Sequence, residues 1–198
     1  SLTIQGANAG TPGNGSRNPE SIVASGSISP ADLTANIGFT ILADDVTIDG
    51  FNLTGDQGIV LDPVAFNATN DGVGLTVENN LVETNLIGVR IQNVTTETSR
   101  SFTIQNNQFA IQKQVFDLDG DNSPGDKVSE YTVSVALQTI DGGEAPTIRQ
   151  NAITTDGDDD SQDGDDDGSF YGYLVDGVNV SGPVELIGDP GATFPDGP

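Results

Sequence analysis

The chain has 198 residues, with 30 acidic against 6 basic, a formal net charge of −24 at pH 7, and no Cys, His, Met or Trp. Those absences exclude thiolate and imidazole metal sites, disulfides, and every Ser-His-Asp or Cys-His catalytic centre, leaving carboxylates, Arg, Lys, Tyr or a hard cation for any chemistry. So negative a surface repels phosphate backbones and anionic lipid and attracts cations, so neither nucleic acid nor membrane is an expected partner.

No apolar run is long enough for a transmembrane helix. There is no signal-peptide pattern, and the chain opens at Ser1 directly in strand-like sequence, which reads as a segment of something longer. Hydrophobic residues are 34 % and aromatics 6 %, lean for a globular core. The remainder is rich in Gly, Asn, Asp, Thr and Ser. No i, i+3, i+4, i+7 apolar stripe is sustained, so the class is all-β.

In chain order a short motif recurs, an apolar-Thr-apolar triplet followed by polar residues and another apolar one. Leu2-Thr3-Ile4-Gln5-Gly6 gives its first half. Phe39-Thr40-Ile41-Leu42 is a strand candidate ahead of the full copy Val46-Thr47-Ile48-Asp49-Gly50-Phe51-Asn52-Leu53. Further copies are Leu75-Thr76-Val77-Glu78-Asn79-Asn80-Leu81-Val82, Phe102-Thr103-Ile104-Gln105-Asn106-Asn107-Gln108-Phe109 and Pro146-Thr147-Ile148-Arg149-Gln150-Asn151-Ala152-Ile153. Thr47 to Thr76 spans 29 residues and Thr76 to Thr103 spans 27, whereas Thr103 to Thr147 spans 44 and therefore carries an insertion. A second strand follows each copy: Gly58–Asp62, Gly88–Gln92, Val115–Asp119 and Gly172–Asp176, with Tyr131–Leu137 as a third strand in the fourth copy.

A strand, a polar corner, a second strand and a return loop close one coil of a solenoid. Coils must stack about 4.8 Å apart to bury their apolar faces. Alternation turns Val46, Ile48, Leu75, Val77, Phe102, Ile104 and Ile148 inward, with Leu53, Val82, Phe109 and Ile153 after the corner. The second strands add Ile59, Leu61, Val89, Ile91, Phe116, Leu118, Tyr173 and Val175. Asn80, Asn107 and Asn151 share one repeat position, where an Asn column suits a tight turn in left-handed geometry; Phe51 interrupts it.

These Thr-Ile-x-x-Asn copies, the Gly-led second strands and the phrase Val46–Leu53 resemble the right-handed parallel β-helix of pectin-lyase-like proteins, over about residues 1–185. The resemblance implies a solenoid of about five coils forming one domain over 1–198, with an acidic insertion at about 156–169 and a Pro/Gly-rich tail at about 188–198. It implies little about activity, because the superfamily mixes polysaccharide lyases, hydrolases, adhesins and non-catalytic surface modules.

Two acidic runs are candidate calcium sites. Between Asp156 and Gly168 lie 8 of the 23 Asp, and Asp163, Asp165, Asp167 and Gly168 match the opening of a D-x-D-x-D-G calcium loop, although Leu174 stands where its closing Glu belongs. Asp156, Asp158 and Asp160 precede them. The second run holds Asp117, Asp119, Asp121 and Asp126. The competing reading is of solvated acidic loops, which repel themselves unless a cation neutralises them.

The outward column Asp49, Glu78, Gln105, Arg149 offers lyase parts, two carboxylates for a cation and a guanidinium as base, and equally the mixed polar face of any sheet. Carboxylates are too plentiful to single out a hydrolase pair. Sequons at Asn14, Asn52, Asn67, Asn93 and Asn179 are expected by chance in such a composition. The expected function is therefore an extracellular or cell-surface structural, assembly or adhesion module, stabilised by calcium. Self-association or neighbouring domains would cover its open ends. A polysaccharide-active or glycan-binding β-helix is the alternative, and a cytosolic protein of a salt-accumulating organism a third reading.

Overall fold

A computed structural model describes residues 1–25, 36–65, 74–95, 101–112, 115–117, 127–129, 132–156, 170–181 and 184–187. Short β-branched triplets between Gly, Asn and Asp turns favour strands, and among the described residues there are strands and no helix. The first pass of the chain contributes β1 (Leu2–Gln5), β2 (Ser21–Ala24) and β3 (Ile37–Thr40). The second gives β4 (Val46–Asp49) and β5 (Phe51–Leu61), the third β6 (Thr76–Glu78) and β7 (Leu81–Thr95). The fourth holds β8 (Thr103–Gln105), β9 (Gln108–Gln112), β10 (Val115–Asp117), β11 (Lys127–Ser129) and β12 (Thr132–Glu144). The fifth holds β13 (Thr147–Arg149), β14 (Ala152–Asp156) and β15 (Phe170–Ser181), and β16 (Glu185–Ile187) opens a sixth.

The first sheet is parallel, in the order β1-β4-β6-β8-β13-β16. Thr3, Thr47, Thr76, Thr103 and Thr147 are successive register partners, and Glu185 ends their row. The repeat spacing thus becomes a physical stack, each pass hydrogen-bonding the next. The second sheet runs β14-β9-β7-β12-β15, with β5 beside β7 and both β2 and β3 beside β5. Its early half aligns Val23, Leu53, Val82, Phe109 and Ile153. Its later half aligns Phe39, Ile59, Val89, Val135 and Tyr173. In the pairing of β5 with β7 the register shifts between Gly55 and Gln57, where the two halves meet.

Side chains from both sheets meet in one core that includes Ile48, Leu53, Ile59, Val77, Ile91, Ile104 and Phe109. Each fully buried aliphatic or aromatic side chain there contributes about 1.5–3 kcal/mol. Only an end-to-end stack supplies that burial, because a single pass has nothing to pack against.

One expected strand is placed differently. Val115–Asp119 was expected to continue the row of Gly58–Asp62 and Gly88–Gln92. Instead β10 pairs antiparallel with β11, Val115 opposite Ser129 and Asp117 opposite Lys127, as a separate hairpin. The row is filled by β12, whose Val135 and Leu137 align with Val89 and Ile91. Local sequence offered two apolar-alternating segments, and only the long-range pairing decides between them. Leu118 and Asp119 lie outside the described residues, and β14 extends through Asp156, so the acidic insertion starts at residue 157.

The corner after the first sheet is built on two adjacent positions. The left-handed backbone falls on Gly50, Asn79, Asn106 and Gln150, with φ between 55° and 80°, one residue before the expected column. Asn80, Asn107 and Asn151 follow, buried, and form a ladder of carboxamides. Asn107 Oδ1 accepts from Asn80 N (2.9 Å) and Asn80 Nδ2 (3.1 Å), while Asn107 Nδ2 donates to Val77 O and Asn151 Oδ1, both at 3.0 Å. Phe51 does not end the ladder, because its backbone N donates to Asn80 Oδ1 at 2.9 Å. At the other end the hydroxyl of the half-buried Tyr173 bonds the Asn151 side chain, and desolvation raises the phenol pKa against that bond. Asn107→Ala strands several buried polar groups at once and should cost about 3–5 kcal/mol, read as a lowered midpoint in urea unfolding.

A second row leaves almost no room for a side chain at Gly38, Gly58 and Gly88. Gly38, Gly58, Gly88, Ser134 and Gly172 each precede a residue of the later core row. A Cβ on Gly58 would stand 2.5 Å from Gly88 O, and one on Gly88 would stand 2.6 Å from Ser134 O and 2.7 Å from the Phe109 ring. Gly88→Ala should therefore destabilise by about 2–3 kcal/mol through forced separation of the passes, seen as a drop in thermal midpoint with the strand signal in circular dichroism retained.

Candidate functional site

The outer face of the first sheet carries the proposed catalytic column. Asp49 is buried, and its carboxylate accepts from Asn79 Nδ2 (2.8 Å), Gly10 N (3.0 Å) and Gln5 Nε2 (3.4 Å). Glu78 Oε2 accepts from Gln105 Nε2 at 2.7 Å, and Gln105 Oε1 accepts from Arg149 Nε at 2.9 Å. The register brings these residues together as expected. The bonds from Arg149 to Gln105 and from Gln105 to Glu78 run along the column from one pass to the next, while Asp49 bonds Gln5 on the pass before it and Asn79 and Gly10 at the corner. Asp49 in particular is a fixed acceptor inside the structure. This is the geometry of a sheet face stitched by side chains.

The corner beside that face is covered by residues 6–20, which sequence reasoning left as a connection. Gly6 N donates to Asp49 O (2.8 Å), Asn8 N to Gly50 O (3.2 Å) and Gly13 N to Asn106 O (2.7 Å). Its base is closed by Ala7 N to Ser21 Oγ, and by Asn8 Nδ2 to Asn18 O and to Glu20 Oε2. Arg17 sits beneath. Its guanidinium forks onto both oxygens of Glu20 and reaches Thr11 O (3.2 Å), Asn79 O (2.8 Å) and Phe51 O (3.2 Å). The Arg17 side chain is only 8 % exposed. The signals for this element were a lone Arg within a Gly/Pro/Asn-rich stretch, which composition cannot distinguish from an ordinary loop.

The second half of the second sheet holds another cation, the half-buried Arg90. Burial lowers the Arg90 pKa, and the nearby Asp62 carboxylate opposes that shift. Asp62 Oδ1 also accepts from Asn93 Nδ2 (3.1 Å) and Ala65 N (3.0 Å). Arg90 Nε is buried with no hydrogen-bond partner.

Of the proposed calcium ligands, Asp119, Asp121, Asp126, Asp158, Asp160, Asp163, Asp165 and Asp167 lie outside the described residues. Asp117 closes β10 opposite Lys127, and Asp156 closes β14 opposite Gln112. The topology fixes where both acid-rich segments are rooted. Segments 113–131 and 157–169 leave from the register partners Gln112 and Asp156 and return at the partners Thr132 and Phe170. Their two ends are therefore neighbours on adjacent passes. Among the described residues no group of three or more carboxylates gathers in a metal-binding arrangement.

The sequons separate by exposure. Asn52 is buried with Nδ2 on Glu83 Oε2 at 2.7 Å, Asn93 is half-buried on Asp62, and Asn14 and Asn179 are exposed. Asn67 lies outside the described residues. The chain is thus an all-β protein of stacked parallel strands. No family model, curated protein or solved structure matches it.

The Glu20 carboxyl is held below its ordinary value of 4.5, chiefly by the hydrogen bond from Arg17, against a smaller opposing effect of burial. A carboxyl depressed on folding stabilises the protein above its unfolded pKa, and that contribution disappears as pH falls through the lower folded value. Wild type should thus lose more stability than Glu20→Gln as pH drops from 5 into the range below 4.5. Parallel pH-dependent denaturation curves of the two proteins measure the difference.

Proposed function

We propose that this chain is a right-handed parallel β-helix of the pectin-lyase-like kind that serves as an extracellular or cell-surface structural, assembly or adhesion module rather than as an enzyme. The observation that carries the reading is the unbroken parallel register from β1 to β16. It makes a rod whose two end strands each have one partner among the described residues. The first pass supports end contacts further. β1, β2 and β3 contain no charged residue in a chain of net charge −24, and Leu2 and Ile22 are 53 % and 64 % exposed. A strand from a second copy or from a neighbouring domain would continue the ladder there without bringing carboxylates together. The candidate catalytic column favours the same reading, since Asp49, Glu78, Gln105 and Arg149 are engaged with one another or with adjacent backbone.

Calcium is the proposed cofactor, held by the acid-rich segments rooted side by side at Gln112 and Asp156. Anchorage of both acid-rich segments on adjacent passes supports shared ions, and a divalent cation would offset the repulsion among their carboxylates. Millimolar calcium should slow cleavage of the chain by a nonspecific protease and lengthen particles seen in sedimentation, and chelator should reverse both. Unchanged proteolysis and sedimentation would remove calcium from the proposal, whereas association that persists in chelator would leave the end-to-end contact standing.

A further inference from the structure

We propose that residues 6–20 are a clamp that opens and closes on the corner of the stack as one unit, with Arg17 as its lock, while the strands beneath stay folded. The clamp reaches across three passes. Gly6 and Asn8 bond the second pass through Asp49 O and Gly50 O, Arg17 bonds the second and third through Phe51 O and Asn79 O, and Gly13 bonds the fourth through Asn106 O. Most of these are contacts to main-chain carbonyls that point out of the corner. Apart from Gly6 N to Asp49 O, which closes the β1–β4 ladder as Leu2 N to Asp45 O opens it, no pairing among the described strands depends on them, so the clamp, hinged at Gly6, can leave without unpairing a ladder.

Its closed form is tightly specified. A Cβ at Gly13 would stand 2.3 Å from Asn80 O and 2.4 Å from Gln108 N, and one at Gly50 would stand 2.1 Å from Ala9 N. Closure therefore needs both glycines, and Gly50 has φ of 80° besides. The lock is a single group. The Arg17 fork grips Glu20 with one edge while its terminal nitrogens reach carbonyls of two passes, a set of bonds that a lysine ammonium does not reproduce. The remaining ties at the base, Ala7 to Ser21 and Asn8 to Asn18 and Glu20, hold the loop's two ends together whether or not it is seated. They give the clamp a shape of its own and make its release a rigid step. Opening bares the corner carbonyls of the second to fourth passes along one flank.

Amide hydrogen exchange on the full chain tests this. In wild type the amides of Asn8, Gly10 and Gly13 should exchange at least tenfold faster than those of β5, β7 and β12, which marks an opening separate from global unfolding. Arg17→Ala should accelerate the three clamp amides a further tenfold or more and leave the β7 and β12 amides within about twofold of wild type, with Arg17→Lys intermediate. Gly13→Ala prevents seating without touching the lock and should reproduce the Arg17→Ala pattern, which keeps the test decisive if that variant folds poorly. Trypsin gives a second readout, because cleavage after Arg17 requires the open form and should quicken in Gly13→Ala. Clamp amides that exchange at the rate of the strand amides in wild type, or that are unmoved by both substitutions, would overturn the proposal. So would Arg17→Ala or Gly13→Ala accelerating strand and clamp amides equally, since the clamp would then be one cooperative part of the stack.

Discussion

Asn107 lies between two other carboxamides and bonds both, and through its Nδ2 also the Val77 carbonyl of the pass before. Such an amide is satisfied only when its neighbours stand at the same height and in the same register. A slip of one residue would turn every core side chain outward and leave each ladder amide buried without its partners, a penalty far larger than the marginal stability of a small domain. The apolar rows make stacking favourable, and the ladder decides which stacking. This division matters in a chain with so lean a core, because aliphatic contact alone tolerates a two-residue slide, which keeps each side chain on its face, whereas a buried amide does not.

The corner explains several residues that otherwise look unrelated. Left-handed backbone at Gly50, Asn79, Asn106 and Gln150 turns the next side chain into the interior, and the outward carbonyls that result need donors. Residues 6–20 supply them from the second to the fourth pass. Asp49 joins the same arrangement by accepting from Gly10 and Asn79, so the carboxylate that looked like a cation ligand is a structural acceptor.

Most of the architecture was legible because its determinants repeat. Thr47, Thr76, Thr103 and Thr147 recur with apolar flanks, and those flanks proved to be core in each of these passes. Gly58, Gly88 and Gly172 were visible as initial glycines, although the reason at Gly58 and Gly88, carbonyls and at Gly88 an aromatic ring within a methyl's reach, appears only in three dimensions. What could not be read were features set by pairing rather than by pattern. Val115–Asp117 and Val133–Leu137 both alternate, and nothing local to either says that the first folds back on Lys127–Ser129. The left-handed residue was misplaced by one because Asn79-Asn80 and Asn106-Asn107 are doublets, and either member suits such a turn. Arg17 escaped notice since its partners are mainly main-chain oxygens, which leave no mark in a sequence. The acidic runs were plain as composition, and the pairing of Gln112 with Asp156 fixes the residues at which both are rooted.

That last relation bears on how the molecule could change. Where the two halves of the second sheet meet, the second and third passes run straight through with a mere shift in register, while the first, fourth and fifth detour through residues 25–36, 113–131 and 157–169. The frame is indifferent to what is spliced in at this seam, since the strands on either side find their partners regardless. A lineage can thus lengthen, shorten or exchange the segments spliced in there, or graft one pass's segment onto another, without rebuilding the paired strands.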